Sequence, residues 1–185
     1  TLGSNAELTG STVSFGNTVA GGSKSLAVTG NAAFNGAVSG LSTLGVTGTT
    51  LLNTDEVTTS GAQTYAGAVT LSGGDRTLTG STIHTQSTLA GGGHALNITG
   101  AAYVNKANTL TVASATVVGD FKLTAAGATA LQSLNASGNV TVTLSAGDLT
   151  LGNITASGHT VNLNVAGAVV GGDAVSDITA QTLDI

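Results

Sequence analysis

Cysteine, proline, methionine and tryptophan are all missing from these 185 residues, and only five aromatic side chains are present, three Phe and two Tyr. Without cysteine the chain can form neither disulfides nor thiolate metal sites. Charge is scarce as well: 7% of the residues are charged, against roughly a quarter in an ordinary domain. The four Lys and Arg residues stand far apart, and the formal net charge is −5. Such a chain has no basic patch, so nucleic acid and anionic lipid are not expected as partners. Membrane insertion is not expected either. The charge-free stretches 25–54 and 149–172 are interrupted every two or three residues by Thr, Ser, Asn or Gly, which no apolar span of about 20 residues tolerates.

Low charge leads to disorder only where apolar residues are scarce too, and here they make up 41%, mostly Ala, Val and Leu. The chain is long enough to bury a core, but with small side chains. That suits a narrow, repetitive interior better than a roomy one.

Glycine is abundant, with 28 residues, and it punctuates a phrase that occurs three times. Leu26-Ala27-Val28-Thr29-Gly30 returns as Leu44-Gly45-Val46-Thr47-Gly48 and again as Leu96-Asn97-Ile98-Thr99-Gly100. The first and third copies belong to a longer duplication at an offset of 70: residues 8–35 align with 78–105 with 14 identities in 28 positions. Repetition of this kind marks a supersecondary unit stacked on copies of itself, a solenoid.

Within the repeats the period is two. Leu26 and Val28, Leu44 and Val46, Leu110 and Val112, Val140, Val142 and Leu144, and Val161, Leu163 and Val165 all alternate with Thr, Ser, Asn or Gly. Alternation of this type predicts strands with one buried face, and Thr and Val favour a pleated surface. No window sustains helical spacing. The stretch 125–134 has some helical propensity, but its surroundings argue for strand. Gly turns roughly every 6–11 residues leave room for strands of about 3–5 residues.

The first two copies of the phrase, at 26–30 and 44–48, follow one another closely, which suggests like stacked on like in parallel. The fold expected is all-β, a parallel β-helix of about three strands per coil, about 18–24 residues per coil, and eight or nine coils over residues 1–185. At a strand spacing of about 4.8 Å the rod would be roughly 40 Å long. Leu26 would lie over Leu44 and Asn35 over Asn53. Leu26, Val28, Leu44, Val46, Leu96 and Ile98 would point inward, with Thr29, Thr47 and Thr99 outward or at a corner. The super-repeat governs 1–105, and 106–185 follows a looser pattern. With no proline, charge run or polar tract near 106, one continuous solenoid is the simpler reading. The chain has neither an initiator Met nor a leader segment and is expected to be a piece of something longer. Neither 1–7 nor 181–185 looks like a cap, so end-to-end self-association is expected.

Phrases such as "TTSGAQTYAGAVTLSGGDRTLTGSTI" (58–83) and "ASGNVTVTLSAGDLTLGNITASG" (136–158) resemble the filamentous-haemagglutinin-like exoproteins of Gram-negative bacteria. The resemblance covers most of the chain, in repeat style rather than in an invariant motif. It implies a right-handed β-helix within a very large adhesin, extracellular or tethered to the cell surface. It also implies an outer-membrane secretion partner that recognises an N-terminal secretion domain. The motifs of that domain are not matched here, so the segment reads as shaft, and no catalytic residues carry over. The absence of cysteine fits an exported bacterial protein. A self-assembling extracellular filament or surface-layer subunit is the alternative. A host or bacterial receptor or glycan is not named by the sequence.

Several positions invite a chemical reading, and each has a plainer one beside it. Gly73-Gly74-Asp75 and Gly171-Gly172-Asp173 resemble calcium turns, and Asp173 and Asp177 could meet across one turn. Both lack the third Gly and the tandem copy that calcium β-rolls need, so a polar turn is the better reading. A polysaccharide lyase or hydrolase needs clustered carboxylates with Arg or Lys. Asp55, Glu56, Asp75, Asp120, Asp148, Asp173, Asp177 and Asp184 are scattered, and Arg76 is the single Arg. His84, His94 and His159 lack metal-ligand spacing and read as surface positions. No catalytic, cofactor or metal residue is assigned, and the chain is read as non-enzymatic. Phe34 and Tyr65 sit in matching phrases and read as core. Ice binding would need Thr-x-Thr at every coil. The dyads at 47–49, 77–79, 109–111 and 141–143 are spaced too widely to match a coil.

Overall fold

The computed structural model describes residues 1–105, 110–111, 114–171 and 178–185. Regular structure among them is entirely β, twenty strands, and every described strand pairing is parallel. The chain winds through about nine turns of a β-solenoid, as the period-two alternation and the repeats predict.

Each coil lays a strand on each of three faces in turn. The first face begins with β1 (Ala6–Phe15), which pairs with β3 (Leu26–Phe34) and through it with β5 (Leu44–Val46) and β8 (Gln63–Tyr65). Its innermost column then continues through Ile83, Ala102, Phe121, Val140 and Val161 to Leu183. The second face stacks Val13, Ala32, Thr50, Val69 and Leu89, with Thr129, Leu149 and Val169 further along. The third face stacks Val19, Val38, Val57, Leu78, Ile98, Val117 and Ala136. The coils are not of equal length: the one from Leu26 to Leu44 is short, and the one from Ile154 to Ile178 is longer.

The expected core positions all face inward: Leu26, Val28, Leu44, Val46, Leu96 and Ile98 are buried, and Thr29, Thr47 and Thr99 are exposed. Leu26 lies over Leu44, and the Asn53 amide donates to Asn35 Oδ1 at 3.2 Å, while Asn35 donates to Ser14 Oγ at 3.3 Å. Phe34 stacks on Phe15, with ring centroids 4.9 Å apart and planes within 4°. Residues 129–136 are strand.

Several strands exceed the expected length. The longest, β18 (Leu149–Val165), has 17 residues and crosses all three faces. The chain turns such corners while strand pairing continues on both sides, by register shifts between Ala156 and Thr160, Thr9 and Thr12, and Thr79 and Thr82, the first of them at Gly158 with φ of +77°. These are bulges, which bend a strand while it keeps pairing on both sides.

The long duplication keeps its backbone but changes face. Leu26 lies on the first face, whereas Leu96 lies on the third, because the copy returns after three full turns and two faces. The local conformation travels with it. Gly22 and Gly92 have φ of +57° and +60°, and Gly30 and Gly100 have φ of +117° and +127°. Lys24 N–H bonds Gly21 O, and His94 N–H bonds Gly91 O, both at 3.0 Å. The three corners are therefore interchangeable as far as the backbone is concerned.

Candidate functional site

A solenoid offers two places for function, its outer faces and its interior. On the outer side of the third face, Thr77, Asn97, Thr116, Asn135, Thr155 and Thr179 stand in one row, each paired with the next coil. Beside it runs a second row, Thr58, Thr79, Thr99 and Val118. Strand alternation sends these side chains outward because the intervening Leu78, Ile98 and Val117 fill the core. Among the described residues, the side chains of Thr77, Asn97, Thr116, Asn135 and Thr155 hydrogen-bond no other protein group.

Polar side chains at the corners behave differently. Asn5, Asn31, Asp75, Asp120, Asn139 and Asp148 each accept a hydrogen bond, at 2.8–3.1 Å, from a backbone N–H one coil onward. Each such bond satisfies a backbone donor that the turn removes from the ladder. The carboxylates of Asp75, Asp120 and Asp148 thus brace turns and do not converge on one another. Among the described residues, no three His, Asp or Glu side chains gather where they could hold a metal ion. His84, His94 and His159 are partly exposed. Asp173 and Asp177, the calcium candidates, lie outside the described residues, as do parts of the 109–111 dyad and the start of the looser pattern at 106.

The Thr-x-Thr dyads singled out in the sequence do not share a face. Thr77 and Thr79 lie on the third, Thr141 and Thr143 on the first, and Thr47 and Thr49 flank the corner between first and second. The third-face row was not legible from dyad spacing because Asn alternates with Thr in it.

Inside, sequence reasoning missed a polar layer. Gln63 and Arg76 are buried, with Thr50, Thr54, Thr59 and Thr85 nearby along the chain. The Gln63 amide donates to Val57 O at 3.0 Å and Thr79 O at 2.8 Å, and its Oε1 accepts from the Tyr65 hydroxyl at 2.8 Å. Full burial pushes the Tyr65 phenol far above its ordinary value, so it remains a neutral donor. Arg76 Nε donates to Leu52 O at 3.1 Å. Its Nη1 reaches Asp75 O at 2.9 Å and the fully exposed Asp55 carboxylate at 3.3 Å. The hydroxyls of Thr50 and Thr85 are buried without a partner. Alternation did hold a signal for this layer: Gln63 is in phase with Tyr65, and Arg76 with Leu78. Apart from the contact of Arg76 with Asp55 at the surface, the layer's donors are directed at backbone carbonyls and its own members, which makes it a structural inset.

No family model, no curated protein and no solved structure matches the chain.

Proposed function

We propose that this chain is a structural and adhesive shaft segment of a large bacterial protein, secreted or held at the cell surface, that acts by projection and contact without catalysis. The observation that carries this reading is the stacking of about nine coils with outer faces rich in Thr, Ser and Asn and poor in charge. Braced turns and shared ladders make a stiff rod, and carboxylates engaged at corners are not available as an acid–base pair. The resemblance to filamentous-haemagglutinin-like exoproteins agrees with this and brings with it an outer-membrane secretion partner.

The test is adhesion of protein-coated beads to bacterial and host cells, run beside a polysaccharide depolymerisation assay. Adhesion without turnover is expected; depolymerisation at enzyme-like rates would overturn the non-catalytic reading. A second reading, a self-assembling filament or surface-layer subunit, shares the stacked coils and the outer faces poor in charge. The length of the native polypeptide separates the two. A chain of thousands of residues supports the shaft, and a subunit near this size that forms fibres by itself supports assembly.

A further inference from the structure

We propose that the third face, along the row from Thr77 to Thr155, binds an extended, uncharged polysaccharide laid parallel to the rod axis. The proposal rests on the adhesive reading and gives it a surface and a ligand class.

The row presents hydroxyl and amide groups alternately, Thr77, Asn97, Thr116, Asn135 and Thr155, one per coil. Rungs recur at about 4.8 Å, and the neighbouring row lies about 7 Å to the side, two residues along each strand. A regular polymer can therefore meet an equivalent group at each step. Pyranose rings are amphiphilic: their hydroxyls need donors and acceptors, and their C–H faces need apolar contact. Amides and hydroxyls answer the first need. Val118, 54% exposed in the second row beside Thr99, answers the second together with the threonine methyls.

Two further observations select this face. First, its polar groups are unengaged, whereas the corner amides of Asn5, Asn31 and Asn139 already brace the fold. Second, the third face is both polar and, from Thr77 to Thr155, uncharged; its row meets a carboxylate only at Glu56, one coil before Thr77, whereas the first face carries Glu7, Lys122 and Asp184 and the second, also uncharged, presents Ala33, Leu51, Ala90 and Ala130. A neutral polymer leaves no ion desolvated there, and a polyanion is repelled by the rest of the rod. Because the rows are held by the ladders beneath them, little side-chain freedom is lost on binding. Single contacts are weak, so affinity should grow with the number of rungs spanned.

The test uses the full chain and neutral β-1,4-linked glucan oligosaccharides of increasing length, with a polyuronate as the anionic control, read by calorimetry. Affinity should rise with length for the glucan and be absent for the polyuronate. Thr116→Arg, and independently Asn97→Lys, should weaken glucan binding about tenfold or more. Thr150→Arg on the second face should leave it unchanged, and thermal melts establish that each variant folds. Absence of glucan binding by the wild type, equal binding of polyuronate, or an equal loss with Thr150→Arg would overturn the proposal. So would adsorption to ice without glucan binding. Beads that adhere to cells equally well with wild-type and Thr116→Arg protein would overturn the third-face assignment alone. Beads that fail to adhere at all would overturn the adhesive reading beneath it.

Discussion

Residues 8–35 and 78–105 are two versions of one sequence in two settings. Both place a bulge after the same Thr-Gly step, turn on a positive-φ glycine at Gly22 or Gly92, and turn again at Gly30 or Gly100. Yet one runs from the first face to the second where the other runs from the third to the first. Their interiors differ as well. Phe15 stacks on Phe34 in the earlier copy, while Thr85, at the place of Phe15, is buried with an unpartnered hydroxyl between Tyr65 and Val104. Corner geometry is thus a local property carried by short sequence. What a side chain meets inside depends on which coil lies beneath it.

The largest effect is expected at the corners, where the copies should behave alike. A Cβ added to Gly30 would fall onto the carbonyl oxygen of Gly10, and one added to Gly100 onto that of Gly80, both at positive φ. Gly30→Ala and Gly100→Ala should each destabilise by about 3 kcal/mol or more, from backbone strain and overpacking together. Denaturant melts that show one tolerated and the other not would break the equivalence of the corners.

Next come the buried columns. Leu44→Ala should lose about 2–4 kcal/mol, since a cavity opens between Leu26 and Gln63. Leu51→Ala, on the outer side of the second face, should change stability by less than about 0.5 kcal/mol. Equal losses would mean that the face assignment is wrong.

Smaller effects probe the polar inset between the copies. Tyr65→Phe removes the donor to Gln63 Oε1 and should lose about 1–3 kcal/mol by leaving a buried acceptor unpaired. The same tyrosine makes stability depend on alkaline pH. The folded state holds the phenol neutral, whereas an unfolded phenol ionises near pH 10, at about its ordinary value. Above that pH the unfolded state binds fewer protons than the folded one, so stability should fall as pH rises. Tyr65→Phe should lessen that slope in melts at a series of pH values. The smallest effect has the opposite sign. Thr85→Val removes an unpaired buried hydroxyl and adds a methyl, and should stabilise by about 1 kcal/mol. Destabilisation would show that the hydroxyl is bonded after all.

Much of this architecture was legible in the residues. Alternation at Leu26, Val28, Leu44 and Val46 identifies the inward face because a strand's period of two admits only one solution once one side is buried. The close succession of the first two phrases places Leu26 over Leu44 and joins Asn35 to Asn53, since parallel in-register stacking sets equal residues one above another. The expected strand length fell short because a glycine reads as a turn, whereas Gly10 and Gly80 are bulges within continuing strands. The Thr and Asn row of the third face escaped notice because its members recur at unequal spacings and with unequal identities. Only coil registration brings Thr77, Asn97 and Thr116 into line.

By itself, then, the sequence determined that the chain is β, parallel, coiled and turned at its glycines, for these follow from local propensity, period and repetition. Tertiary structure alone decided that the second copy of the duplication lies on another face, that Gln63 and Arg76 enter the core, and that Thr and Asn line up on one outer face from Thr77 to Thr155. The physical reason is that face identity accumulates from the lengths of all preceding coils. Coils as unequal as Leu26 to Leu44 and Gln63 to Ile83 add up to a phase that no local stretch contains.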